Sequence, residues 1–375
     1  MAKYYIEVIM DIKVITRHAP FNYGSLLQSM ATIKIVHRLG HKCCIIDYIR
    51  DDEYGLKSIL MSLDRKKEWN NNFLKKLLYV MLRYPEEYWA QRRFAHMRMK
   101  YLEMTLRYRS IGELSTLKAD IFMTGSDQVW GPVLTTNYDE AYFLSFVNNG
   151  AKKVSYAASF GKTNFNNQIT SAYRKLLSDY DAITVRENAA VNLLHQMEVS
   201  CAGQVLDPTL LLTGDEWAEY IDKDISGKYV LVYQLHNNKA LNDYAKKLAL
   251  KLGLPLFRIS PSFHQFIRGG KFIYLPELGK FLSYMKNCAY LVTDSFHGTA
   301  FALNFNRQFV EILPNNETGS RNLSILELTG LRDRIVTDFR DFSIAERFID
   351  YGRVNDILNR ERKKSIELLE SLCVV

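Results

Sequence analysis
The run Tyr290–Thr293 is apolar, short and strand-like, and it passes directly into Asp294-Ser295-Phe296-His297-Gly298-Thr299. Those residues open a second apolar run, Ala300–Phe305, that reads as a helix. A chain built on this unit folds as a parallel α/β sheet, because a crossover helix is needed to bring it back for the next strand. The first backbone N–H groups of such a helix have no partner within it. They favour an anion, and Gly298 allows one to approach closely. Asp294, Ser295 and His297 stand beside them and can titrate or donate. The same residues also suit an ordinary polar turn with an Asp or Ser cap.

The unit recurs along the chain. Strand-type runs at Ile12–Arg17, Cys43–Tyr48, Ala119–Thr124, Lys153–Ala158 and Ala182–Val185 are separated by helical patterns, the first of them Leu26–Leu39, stopped by Gly40. A second series follows, with strands at Tyr229–Leu235, Leu256–Ile259, Phe272–Tyr274, Tyr290–Thr293 and Phe309–Leu313. Helices are expected between them at Lys239–Leu252, Leu278–Asn287 and, after the polar loop PNNETGSR, Leu323–Leu328. At 375 residues the chain exceeds one ordinary core. The element order predicts two Rossmann-like domains facing across a cleft, the GT-B arrangement. The boundaries expected are 1–212 on the acceptor side, 213–342 on the donor side, and terminal helices over 343–375. The loop after the first strand, HAPFNYGS, has one glycine and lacks G-x-G-x-x-G, which argues against a dinucleotide there. Met10 is a second candidate start, since Ala2–Ile9 matches no element.

Residues 51–117 break the alternation and read as a helical insertion rich in aromatics. Residues 65–109 hold twelve Lys/Arg and four Asp/Glu, 12 − 4 = +8, which equals the net charge of the whole chain. One reading is a solvated flank of snorkelling cations. The other is a basic, aromatic surface resting on anionic lipid headgroups near a lipid-carried substrate. No nucleic-acid recognition motif accompanies the charge. No apolar run approaches the ~20 residues of a membrane helix, and the N-terminus lacks signal-peptide organisation. The expected location is the cytoplasm, at the inner face of the plasma membrane. The five cysteines show neither C-x-x-C nor His/Cys ligand spacing, so no metal is implied.

Seven motifs in order, NYGSLLQ, TGSDQVW, YAASFG, TVREN, VLDPTLLL, VTDSFHGTAFALNF and SRNLSILELTGL, resemble the polysaccharide pyruvyl transferase family. The resemblance runs from about residue 12 to 335. It implies a GT-B-like fold and transfer of the enolpyruvyl unit of phosphoenolpyruvate to sugar hydroxyls. The product would be a pyruvate ketal on a surface polysaccharide or its lipid-linked precursor, with phosphoenolpyruvate as substrate and no further cofactor. The family's Arg in V-R-E falls on Arg186 and its His-Gly on His297-Gly298. Phosphoenolpyruvate carries a carboxylate and a phosphate, which forked guanidinium donors and backbone amides suit. Arg186, Ser295, Gly298 and Thr299 are the expected donor-binding residues. His297 is the expected general acid or base, toward the methylene carbon or the attacking hydroxyl.

Many members carry Arg two residues before that His, where this chain has Ser295. Arg321 is expected to supply the missing cation from another direction. Asn22, Tyr23, Ser126, Asp127, Gln128 and Trp130, at strand ends of the first half, are the expected acceptor residues. Asp127 would bind or deprotonate a hydroxyl and Trp130 would stack a sugar face. Asp127 also reads as a helix cap and Trp130 as core. Two other functions suit the same architecture. A GT-B glycosyltransferase would need partners for a base and ribose, for which the second half offers Asp294 and Glu277. A non-catalytic sugar- or anion-binding member of a glycan assembly complex would accommodate Ser295.

Overall fold
The computed structural model describes residues 8–374 apart from 51, 52, 54, 65, 134–137, 149 and 315–318. Residues 2–7 of the leading stretch and 315–318 of the PNNETGSR loop therefore lie outside the described residues.

The first sheet contains β1 (Asp11–Ile15), β2 (Lys42–Tyr48), β3 (Met104–Tyr108), β4 (Ile121–Thr124), β5 (Lys152–Ala158), β6 (Ala182–Val185) and β7 (Gly203–Gln204). Its order is β3-β2-β1-β4-β5-β6-β7, and every pairing is parallel. The second contains β8 (Val230–Tyr233), β9 (Leu256–Ser260), β10 (Lys271–Tyr274), β11 (Tyr290–Thr293) and β12 (Gln308–Glu311). Its order is β10-β9-β8-β11-β12, again all parallel. Helices cover both faces, so central strands such as β4, β8 and β11 are buried at every position. That is why they appear in the sequence as short continuous apolar runs. Strand order reverses between β1 and β4 in one sheet and between β8 and β11 in the other. These switch points are where open α/β sheets bind ligands.

The segment 51–117 is not wholly helical. Its main helix, Phe73–Tyr101, is the crossover from β2 to β3, and β3 pairs with β2 at the sheet edge. Leu106 on this strand is 84% exposed, because an edge strand has one flank open to solvent and needs no full apolar run. The helix Tyr351–Leu372 straddles both units. The Tyr351 hydroxyl donates to Ala302 O, Arg362 Nε to Leu210 O at 2.7 Å, and Leu206 N to Ser365 Oγ at 3.0 Å.

The two units are also locked face to face. Tyr23, in the helix Tyr23–Arg38 that follows β1, stacks on Phe281 with ring centroids 4.1 Å apart and donates its hydroxyl to Pro276 O. Tyr233, ending β8, donates to Asn22 Oδ1. Arg93, on the long helix, pairs with Glu277 at 2.8 Å.

Candidate functional site
Arg17, Asp127, Arg186 and Asp207 each lie within three residues of the carboxyl end of a first-sheet strand. Across the cleft, His297 lies in the first turn of the helix Phe296–Asn304 after β11, and Arg321 in the first turn of the helix Ser320–Leu328. Arg186 Nη1 donates to Asp207 Oδ2 at 2.8 Å, and its Nη2 is 3.9 Å from Asp127 Oδ1. Arg321 Nη1 is 3.8 Å from that same Asp127 oxygen. His297 Nε2 is 3.8 Å from Asp207 Oδ2. Phe296 lies under Arg186, with the guanidinium carbon 4.5 Å from the ring centroid.

Both carboxylates are held by donors beyond the arginines. Asp127 Oδ2 accepts from Ser25 Oγ and Oδ1 from Gln128 N, each at 2.8 Å. Asp207 Oδ2 accepts from Ser126 Oγ, and Oδ1 from the amide and hydroxyl of Thr209. Burial works to raise the Asp127 carboxyl, but Arg17, Arg186, His297 and Arg321 together hold it well below the usual carboxylate range. Burial pulls the Arg321 guanidinium down to about 10, with Arg186 adding to the effect. Burial likewise lowers His297, with Asp207 and Asp127 opposing, so the imidazole is neutral near pH 7. Two donor-capable atoms of this cluster, Arg186 Nη2 and His297 Nε2, both buried, have no hydrogen-bond partner among the described residues. Buried polar atoms are seldom left so. Asp127 also sits at φ 78°, a left-handed conformation uncommon outside glycine and a form of stored strain found at functional sites.

His297 is seated by a residue of the other unit. A Cβ on Gly24 would run into the imidazole ring, so the ring occupies the place a side chain there would take. Gly298 packs as closely on Thr293. Beside the cluster lies a cavity of ≈ 120 Å³ whose lining includes Arg186, Asp207, Phe296, Arg321, Ser324 and Lys364. His297 is not on its wall but stands behind Asp207. No group of His, Cys, Asp and Glu among the described residues is arranged to hold a metal.

The family model for polysaccharide pyruvyl transferase matches residues 22–316. The chain belongs to that family. No curated protein matches it by sequence. Solved structures share its fold at low identity. Staphylococcus aureus MnaA in a UDP co-structure is 13% identical, with a TM-score of 0.51 over 93% of this chain and 91% of that one. Arabidopsis thaliana UGT89C1 is 9% identical, with a TM-score of 0.51 over 98% and 100%. A putative UDP-N-acetylglucosamine 2-epimerase from Listeria monocytogenes is 9% identical, with a TM-score of 0.50 over 97% and 91%. The fold is the expected pair of Rossmann-like domains in the GT-B arrangement.

The motifs this pyruvyl transferase family member carries divide into cleft groups and internal fasteners. Arg186, Arg321, Asp127 and His297 come together. Several others turn inward. Trp130 is fully buried against Phe143 and Phe160, with its indole N–H on Tyr142 O, so no face is open to a sugar. Tyr23 is spent on the Phe281–Pro276 lock, Ser126 on Asp207, and Asn22 on capping Gly24 N and on Tyr233. Gln128 is half-buried, its side chain against Gly161. The Thr299 hydroxyl goes to the buried Glu311. Ser295 caps Gly298 N through its hydroxyl and Thr299 N through its carbonyl, so those two amides are not open to an anion. Arg17, Gly24, Ser25, Asp207 and Phe296 belong to the cluster without having been expected there. Their signal was place: Arg17, Asp207 and Phe296 lie within three residues of a strand end, and Gly24 and Ser25 within the NYGSLLQ motif.

Proposed function
We propose that the chain transfers pyruvate from phosphoenolpyruvate to two hydroxyls of a saccharide, forming a ketal and releasing inorganic phosphate. The observation that carries this reading is the convergence of Arg186 and Arg321, from opposite units, on one small cavity, with a histidine kept neutral by burial behind Asp207. Two guanidinium forks suit a small donor bearing both carboxylate and phosphate. Arg321 supplies, from the helix after β12, the cation that Ser295 does not. The reaction balances as follows. Two acceptor hydroxyls each lose a proton and bond to C2 of the enolpyruvyl unit. The methylene carbon takes one proton and becomes methyl, the C2–O bond to phosphate breaks, and phosphate leaves with the other. His297, kept neutral by burial, suits the role of base toward a hydroxyl and can pass the proton on.

Asp294 and Glu277, the acids expected to serve a nucleotide, are engaged. Asp294 accepts from Leu235 N and His236 N, and Glu277 pairs with Arg93. This favours the pyruvyl donor over a nucleotide sugar. No helix among the described residues is long and apolar enough to cross a membrane. The basic, apolar face of 65–109 supports peripheral contact with anionic lipid. Phosphate release from phosphoenolpyruvate, measured across saccharide acceptors, tests the function. Release that depends on both acceptor and His297 is expected. Turnover of a nucleotide sugar with no phosphoenolpyruvate response would overturn it.

A further inference from the structure
The donor cavity has a buried end and an open end, and the open end belongs to the terminal helix Tyr351–Leu372. Arg186, Asp207 and Phe296 on its wall are buried, whereas Lys364 is exposed and Glu361 half-buried. None of the seven motifs reaches this helix, yet its placement is fixed. Val354, Leu358, Ser365, Leu369 and Leu372 form its buried stripe. Leu206 N donates to Ser365 Oγ and Arg362 Nε to Leu210 O, and Leu206 and Leu210 are themselves part of the cavity wall. Glu361 and Lys364, on one flank of the stripe, are thereby turned onto the cavity.

Among the lining residues three cations, Arg186, Arg321 and Lys364, face two carboxylates, Asp207 and Glu361. Arg186 shares its charge with Asp207 at 2.8 Å, and Arg321 has Asp127 at 3.8 Å. Lys364 Nζ is 3.9 Å from Glu361 Oε2, a contact between partly exposed groups that is too long for a hydrogen bond. Such a pair contributes little and is readily exchanged for a stronger anion. The proposed donor brings two anionic groups. The forked guanidinium groups match its carboxylate, and a lysine meets a phosphate as a point charge. The phosphate is also the leaving group, and with the inner end closed by buried side chains it departs through the open one. We infer that Lys364 is a third donor-binding cation, which leaves Glu361 to meet the phosphate at the cavity mouth and accompanies it outward. This rests on the proposed transferase reading and completes its donor site.

Calorimetric titration of inorganic phosphate into the full chain, which needs no turnover, tests it. Lys364→Ala is expected to weaken phosphate about three- to tenfold, the effect of one partly exposed charged contact. Lys364→Arg restores binding. Glu361→Gln tightens phosphate by about twofold or more, because Lys364 loses its competitor. Opposite signs in the two variants mark the charge itself; weakening in both would reduce the helix to a wall and overturn the inference. A second arginine cluster, outside this cavity's lining, provides the control. Arg258 on β9 is wholly buried, with Nη1 on Gln234 Oε1, and Arg268 donates through Nη2 to Asn237 Oδ1. Arg268→Ala leaves phosphate binding as it was. Unchanged binding in Lys364→Ala, or a loss in Arg268→Ala in its place, would overturn the inference. In turnover, Lys364→Ala raises the KM for phosphoenolpyruvate by the same factor. Opposite shifts in phosphate binding without any phosphoenolpyruvate turnover would defeat the transferase reading and leave the cation's role standing. Turnover with phosphate binding indifferent to Lys364 would do the reverse.

Discussion
Two arginine clusters, one on each parallel sheet, sit in opposite electrostatic conditions. Arg186 has Asp207 at 2.8 Å and Asp127 and Glu187 within 4 Å. Arg258 forms no ion pair among the described residues and has a glutamine at 3.1 Å. Surrounding carboxylates let the first cluster hold its cations, a neutral histidine and low-pKa acids rigidly in place before any ligand arrives. Such preorganisation suits chemistry. In the second cluster Arg258 has no such partner, and the carboxylate present, Asp294, lies 3.3 Å from His236. Nearness to arginine alone therefore does not mark a reaction centre. The counter-charges around it do.

The strongest way to break this contrast is His297→Ala. Turnover is expected to fall by roughly 10²–10⁴-fold, with inorganic phosphate binding unchanged. A parallel loss of both would make the histidine part of the anion seat instead. Arg321→Ala comes next. Loss of a charge-assisted contact to the donor raises the KM for phosphoenolpyruvate by about ten- to a hundredfold, whereas the acceptor KM is untouched. Gly24→Ala forces the imidazole out of its seat. A thermal melt should show about 1–3 kcal/mol of destabilisation, and kcat should fall with little change in either KM.

How legible these features were follows from their physics. Strands β6 and β11 and the helices Lys239–Leu252 and Leu278–Asn287 have the bounds the sequence predicts, because continuous apolar runs and helical periodicity are local signals. The edge strand β3 was not legible. Leu106 and Arg107 are exposed, so the stretch lacks the apolar pattern of a buried strand, and its pairing with β2 depends on a distant partner. The pattern NYGS was visible, but not its division of labour. Tyr23 locks the units, Gly24 yields space and Ser25 holds Asp127, and those partners lie between about 100 and 270 residues away. Trp130 misled because an aromatic after a strand end suits a sugar platform and a core equally well until burial is known.

A pH profile sharpens the first cluster. With His297 held below its ordinary value of 6.5, kcat/KM should rise as pH increases through a pKa under about 6.5 and then level off if the neutral ring is the base. A fall across that range would assign it the acid role. The smallest effect belongs to Glu311, buried and pushed up to about 8, which ties Thr299 beside His297 to Asn322 beside Arg321. The folded chain keeps a proton there that the unfolded chain releases near pH ~4.3. The stability it contributes is full below that value and lost as pH rises through about 8. Glu311→Gln should therefore flatten the decline in melting temperature between pH 5 and 8, by an amount read from paired melts of the two chains.

Calorimetric titration of phosphoenolpyruvate into the full chain is the most direct test of the donor cavity. Binding that disappears in Arg321→Ala and persists in Arg268→Ala is the predicted result. Binding that persists in Arg321→Ala, or a chain that ignores phosphoenolpyruvate and takes up UDP instead, would contradict it.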